Sequence, residues 1–400
     1  MTRTTALVLG AGMVGTCTAL HLALRGHSVT LVDRRKPGRE TSYGNAGIIQ
    51  REAVEPYAFP RDAASLLRAA LKRGADVNYH LAALPALAGG LWRYWLHSGP
   101  ARYPAIARAY ALLTAHATSE HQRLIDAAGA DDLVRREGYR AVFRAPASLD
   151  AALATAQRWA REYGVAFAAQ DGDALAAAEP ALRQRLAGAI HWTDPWSVSD
   201  PGELVARYAA HLAQVGGRVV RGDARTLQPR GAGWSVQTDE GPHEAAHAVV
   251  ALGPWADTLL TPVGLRMPLF VKRGYHRHYT GGAAPRLALL DADRGLVIAP
   301  RGVGARCGAD SPRGIVSTQF KGLATVLRMR GNPPEIHAMR KTFFAAVLSM
   351  LCLAAPFARA ELLVGNAYPN QATSGVIGVF SDDAFGNAAP LRTIVPGTAN

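Results

Sequence analysis

Between Thr5 and Asp33 the chain runs through an apolar stretch of strand length, a Gly10-x-Gly12-x-x-Gly15 turn and a helix-forming stretch from Thr16 to Arg25. Gly26 stops that helix, and a second apolar run, Ser28 to Val32, ends on an acid. Few folds accept this order. Strand, tight turn, helix, strand and terminal acid are the parts of a dinucleotide-binding βαβ unit. Gly10 is placed for the sharp turn, Gly12 for close approach of backbone to a pyrophosphate, and Gly15 for close packing of helix on strand. Ala11, Met13 and Val14 complete the turn and open the helix, whose free N–H groups and positive dipole end attract phosphate. Asp33, eighteen positions beyond Gly15, is placed to accept hydrogen bonds from an adenosine ribose, and Arg34 follows it. Arg34 and Arg35 raise the option of a ribose phosphate, but Asp33 would repel one. The motif alone does not separate a flavin from a nicotinamide dinucleotide.

At 400 residues the chain can build two domains with substantial cores, and 49% hydrophobic content argues against disorder. Cys17, Cys307 and Cys352 lie far apart, with neither metal-ligand spacing nor a disulfide framework, which points to a reducing compartment. The first residues enter the nucleotide strand directly, with no leader at the usual place, so a cytoplasmic location is expected. The net charge of +13 invites a nucleic-acid reading. Its distribution weakens that: Arg301 to Lys341 alone holds eight basic residues against Asp310 and Glu335. Much of the rest is arginine along alanine-rich helices, the pattern of a solvated face. No nucleic-acid partner is expected, and no metal.

After a polar loop comes Thr41-Ser42-x-x-Asn45-Ala46-Gly47-Ile-Ile49, small residues, hydroxyls and an amide against which a flat ligand can lie. Alone it reads as a turn. One βαβ unit after the glycine motif, it reads as the other wall of the same site. The two elements together resemble the D-amino acid oxidase superfamily of FAD enzymes, and within it most of all the bacterial D-amino acid dehydrogenases. The resemblance covers about residues 5 to 300. It implies FAD in extended form, carrying the hydride chemistry, with the Thr41–Ile49 element beside the flavin pyrophosphate and ring. It implies an α/β fold: a Rossmann-like FAD-binding domain at 1–60 and 185–262, interleaved with an α+β substrate domain at 61–184 and 263–300.

Pattern places helices at Asp62 to Leu71, Leu81 to Leu96, Ala105 to Ala128 and Ser148 to Tyr163, the last with Ser148 as N-cap. Strands are expected at Tyr139 to Arg144 and Leu186 to Trp192, then a turn-rich Thr193 to Pro201 and a helix from Pro201 to Ala213. Further strands are expected at Arg218 to Ala224, Trp234 to Gln237 and His247 to Leu252. The resemblance implies that Ala224 passes the adenine and that Leu252 and Gly253 return to the cofactor. Pro268 to Tyr279 alternates basic and aromatic residues, suiting an edge strand of the substrate sheet. Tyr275, His276 and Arg273 are its candidates for binding a carboxylate and covering the substrate; an exposed basic strand is the plainer reading.

Past residue 300 the chain departs from the family, which implies a proline-containing strand, a carboxylate-binding arginine and a final glycine-rich segment closing over the flavin. That last segment is not found. Residues 301–338 form an irregular basic segment, and 339–400 begin like a secretory leader: Met339-Arg340-Lys341, an apolar run to Phe357, and Ala358-Arg359-Ala360. The tail therefore looks foreign, joined by fusion, deletion or frameshift. A membrane anchor and a buried helix are the alternatives, the anchor being short of the roughly 20 residues a bilayer needs.

The function implied is FAD-dependent oxidative deamination of D-amino acids, with a quinone or other carrier as electron acceptor and contact with the inner face of the plasma membrane allowed. A truncated flavoprotein with impaired catalysis, and an amine oxidase of the glycine, sarcosine or proline type, are the alternatives. A nicotinamide-dependent enzyme is disfavoured by the Thr41–Gly47 element.

Overall fold

The computed structural model describes residues 4–71, 81–265, 275–280, 283–301, 315–320, 377–379 and 392–394. Contacts divide the chain into two units, Met1–Thr325 with Asn366–Gly375, and Val326–Gly365 with Val376–Asn400. In the second unit, Ile377–Val379 pairs antiparallel with Arg392–Ile394. The leader-like stretch from Met339 to Ala360 lies outside the described residues, as does Arg273. No described helix is long and apolar enough to cross a membrane.

In the first unit, strand β1 (Thr5–Leu9) leads through the glycine turn into helix α1 (Met13–Leu24) and strand β2 (Ser28–Asp33). β1 lies between β2 and His247–Val250, and β2 pairs outward with Arg218–Arg221; all these pairs are parallel. A parallel sheet is covered on both faces, so its strands are apolar throughout. Leu7, Leu9 and Val32 pack with Val236 and Ala245 of the antiparallel sheet Gln228–Arg230, Gly233–Thr238 and Gly241–Ala245. Val8 and Leu31 point the other way, into a core with Leu20 of α1 and Leu204, Tyr208 and Leu212 of helix Pro201–Gln214.

A seven-stranded sheet makes the second layer. Its order is Tyr275–Thr280, Ile315–Phe320, Leu296–Arg301, Ala288–Asp291, Tyr139–Phe143, Gly188–Trp192 and Phe167–Asp171. Tyr275–Thr280 is the edge strand the alternating residues anticipate. Pro300 lies past the end of the Ala288–Asp291 ladder, where among the described residues one side of its strand has no paired partner.

Gly188–Trp192 belongs to the seven-stranded sheet, between Tyr139–Phe143 and Phe167–Asp171. Several expectations are corrected here. Within the supposedly irregular segment 301–338, Ile315–Phe320 is a strand paired on both sides; its β-branched residues were masked by glycine- and arginine-rich flanks. Thr193–Pro201 contains the strand Trp196–Val198. The single helix expected from Ala105 to Ala128 is two, Tyr103–Thr114 and Ala117–Ala127. Ala111 of the first packs beside Tyr139 and Trp192, whereas Ala117, Leu124 and Ile125 of the second pack against the α1 core. One straight helix cannot face both. Finally, Ser148 is not an N-cap: the helix starts at Pro146, with Ala145 extended before it. Proline holds the preceding residue out of the helical region and needs no donor at the first turn.

Candidate cofactor site

The glycine turn is built by crowding. Gly10 has φ +106°, and a Cβ on it would lie 2.5 Å from the Ala251 carbonyl oxygen. At Gly15 a Cβ would stand 1.8 Å from the carbonyl oxygen of Gly10, so only glycine lets α1 start this close to β1. Above Gly12 there is room: the nearest atom to a Cβ would be Ser42 Oγ, at 3.5 Å. This cradle lies at the carboxyl ends of the parallel strands, where ligands of such sheets bind.

Its donors are partly committed and partly free. Ala11 N–H donates to Asp33 Oδ2 at 2.7 Å, and Met13 N–H to Ser42 Oγ at 3.0 Å. The N–H groups of Gly12, Val14 and Gly15 have no acceptor among the described residues. They converge at the positive end of α1, the arrangement that takes a pyrophosphate. Asp33 Oδ1 accepts Arg35 N–H at 2.8 Å. Each carboxylate oxygen keeps a further lone pair for a ribose hydroxyl. Behind the turn Cys17 is sealed in the core, and burial pushes its thiol up to about 12, which makes it inert.

The second wall is held to the first through Ser42. Asn45 Nδ2 donates to the Ser42 carbonyl at 3.1 Å, and Asn45 Oδ1 accepts Gly47 N–H at 2.7 Å. Gly47 has φ +69°, with the Val198 carbonyl 2.4 Å from where a Cβ would be, and its own carbonyl accepts Val198 N–H at 2.6 Å. Ile48–Ile49 then pairs with Trp196–Val198. Thr41 and Ala46 complete this loop. The structure thus brings Gly10–Gly15, Asp33 and the Thr41–Ile49 element to one place. Sequence reasoning missed the partner strand Trp196–Val198, because three residues in a turn-rich stretch carry no legible alternation.

At the other end, Ala224 and Leu252 pack in one apolar cluster with Val32 and Val220, and Gly253 (φ +54°) turns the chain away after Leu252. Arg34 bonds Glu40 at 3.2 Å. The Arg225 guanidinium holds the Asp223 carboxyl below its usual range, with Arg34 adding to the effect. The backbone of Tyr275 and His276 lies on the edge strand of the seven-stranded sheet. Among the described residues no cluster could hold a metal ion.

Open space over Gly12, three free N–H groups and an aligned carboxylate fit a dinucleotide's pyrophosphate and ribose. Similarity to known proteins narrows the dinucleotide. Residues 5–347 match the family described as DAO, FAD dependent oxidoreductase, which extends the match past residue 300 into the segment expected to depart from it. The chain is 31% identical over 299 residues to a D-amino-acid oxidase of Bradyrhizobium diazoefficiens, covering 73% of this chain and 70% of that protein. It is 33% identical over 285 residues to a D-amino acid dehydrogenase of Cereibacter sphaeroides, covering 67% and 63%. The corresponding enzyme of Dechloromonas aromatica is 32% identical over 312 residues, covering 74% of each chain. Among solved structures, glycine oxidase from Geobacillus kaustophilus superposes with a TM-score of 0.54 at 20% identity, over 87% of this chain and 78% of that one. L-proline dehydrogenase from P. horikoshii gives 0.51 at 14%, over 88% and 78%, a likeness of fold. The chain belongs to the DAO family of FAD dependent oxidoreductases.

Proposed function

We propose that this FAD-dependent oxidoreductase oxidises the carbon–nitrogen bond of small amino acids, D-amino acids foremost. The observation that carries the reading is identity of 31–33% to proteins named D-amino-acid oxidase and D-amino acid dehydrogenase. A hydride leaves the substrate α-carbon and a proton leaves its nitrogen; the imine takes up water and yields a 2-oxo acid and ammonia. The flavin, when bound, supplies the two-electron acceptor. The chain's part is to bind and orient.

In this reading Gly10 through Gly15 hold the pyrophosphate, Asp33 and Arg34 the ribose side, and Thr41, Ser42, Asn45, Ala46, Gly47 and Ile49 the flavin side. Ala224, Leu252 and Gly253 line the adenine end. Arg273, Tyr275 and His276 bind the substrate carboxylate and cover it; the edge position of Tyr275–Thr280 supports this. The four-stranded sheet serves the cofactor, and the seven-stranded sheet the substrate. The dehydrogenase relatives favour a carrier, such as a membrane quinone, over oxygen. Exposed Leu66, Leu67, Leu71 and Trp92 supply apolar surface for contact with the inner face of the plasma membrane.

A second reading is a flavoprotein with impaired catalysis. It is favoured by the family match ending at residue 347 of a 400-residue chain, and by alignments that span 63–74% of the relatives. Visible spectra of the gel-filtered chain decide between them. Flavin absorbance that bleaches anaerobically with D-alanine or D-proline supports the enzyme. Retained flavin that no D-amino acid, glycine or sarcosine bleaches supports the impaired form.

A further inference from the structure

Trp255 stands in the turn after strand His247–Val250, at the carboxyl end of the nucleotide sheet, with 39% of its surface exposed. A large indole left this open keeps apolar surface within reach of a ligand. Part of its face is taken by the guanidinium of Arg34, 5.1 Å from the ring centroid. Arg34 directly follows Asp33, and Glu40 anchors its head at 3.2 Å. Ala224, Leu227, Leu252 and Leu259 pack together with Val220 in the apolar cluster on this side of the sheet. A flat aromatic face, a flat cation and an apolar floor therefore meet one residue past the carboxylate placed for the ribose. That is the chemistry that recognises a purine: its π-face stacks on indole as guanidinium does, and a guanidinium packs on its outer side.

We propose that Trp255 and Arg34 form the stacking cover of the adenine end of the cofactor. This rests on the assignment of FAD. The base takes the indole face that Arg34 now shares, and Arg34, kept near by Glu40 and Asp223, closes over it.

The flavin-free full-length chain, titrated calorimetrically with FAD, ADP and FMN, tests this, because ADP carries only the adenine end and FMN only the flavin end. Trp255→Ala is expected to weaken FAD and ADP about tenfold or more and leave FMN unchanged. Trp255→Phe is expected to keep most of the affinity. Undiminished FAD and ADP binding in Trp255→Ala overturns the proposal, as does an equal loss for FMN. Should Trp255→Ala fail to fold, the Trp255→Phe protein decides by fluorescence: ADP is expected to quench wild-type emission and spare the variant, and equal quenching overturns the proposal. Wild-type protein that binds neither FAD nor ADP refutes the cofactor assignment itself, a result distinct from FAD binding that ignores Trp255.

Discussion

The Asp33 carboxylate accepts the Ala11 N–H at 2.7 Å, so the acid at the end of β2 braces the glycine turn at the end of β1. The same group thus serves the fold and, in the proposed reading, the ribose. Ala11 is 2% exposed, and its N–H loses its acceptor when the carboxylate is removed. Asp33→Ala is expected to cost about 1–3 kcal/mol of stability and to weaken FAD binding, with Asp33→Asn intermediate. Urea unfolding and flavin titration measure both; an Ala variant as stable as wild type refutes the bracing role.

Gly15 and Gly26 should respond differently to alanine. Gly15→Ala puts a methyl 1.8 Å from the Gly10 carbonyl, between two backbones that cannot both yield. Gly26 has φ +84° but nothing within 4 Å, so Gly26→Ala is expected to cost only about 1 kcal/mol. Flavin retention after gel filtration should vanish for the first and persist for the second.

The junction of the two cofactor walls can be cut at two strengths. Ser42→Ala removes the acceptor of Met13 N–H and is expected to cost about 1 kcal/mol. Gly47→Ala adds strain at φ +69° and a clash with the Val198 carbonyl, and should be the more damaging. Thermal unfolding with and without FAD ranks them; the reverse order argues against the junction as described.

His121 makes stability depend on pH. It lies buried with Nδ1 3.1 Å from the Tyr208 hydroxyl, and burial pushes its pKa down from 6.5 to about 4, with His21 adding to the shift. Burial also lowers His21. Between pH 4 and 6.5 the unfolded chain binds more protons at His121, so stability is full above about pH 6.5 and falls as pH drops towards 4. The loss at pH 4 is about 3 kcal/mol for His121. His121→Gln keeps a partner for Tyr208 and should flatten the urea-unfolding profile across this range; an unchanged slope excludes His121 as its source.

Glu179 is fully buried and saturated: Arg140 at 2.5 Å, with the N–H groups of Arg286 and Leu287 at 2.7 and 3.0 Å. It ties the Tyr139–Phe143 strand to the chain entering Ala288–Asp291. Glu179→Ala strands a buried guanidinium and two donors, and is expected to cost about 3–5 kcal/mol. Chemical denaturation of Glu179→Ala beside Arg140→Met,Glu179→Leu tests this, the double variant being the more stable of the two.

The nucleotide half was legible because its cues are local. Gly10, Gly12 and Gly15 act within one turn, and Asp33 closes the next strand. The Thr41–Ile49 element was legible as a motif, but its anchor was not: Trp196–Val198 is about 150 residues away and has no periodicity of its own. Likewise Ile315–Phe320 shows as a strand only through its two neighbours in the sheet.

The sequence by itself determined the βαβ unit as a dinucleotide site, because glycine conformation, helix dipole and strand hydrophobicity depend on residues next to one another, and the Thr41–Ile49 motif added the resemblance to the family. Only the tertiary structure decided which strands share the substrate sheet, that the helix after Tyr103 must break to serve two cores, and that Arg34 lies on Trp255. Those outcomes rest on burial and contact between segments distant in the chain, and no single segment encodes its partner.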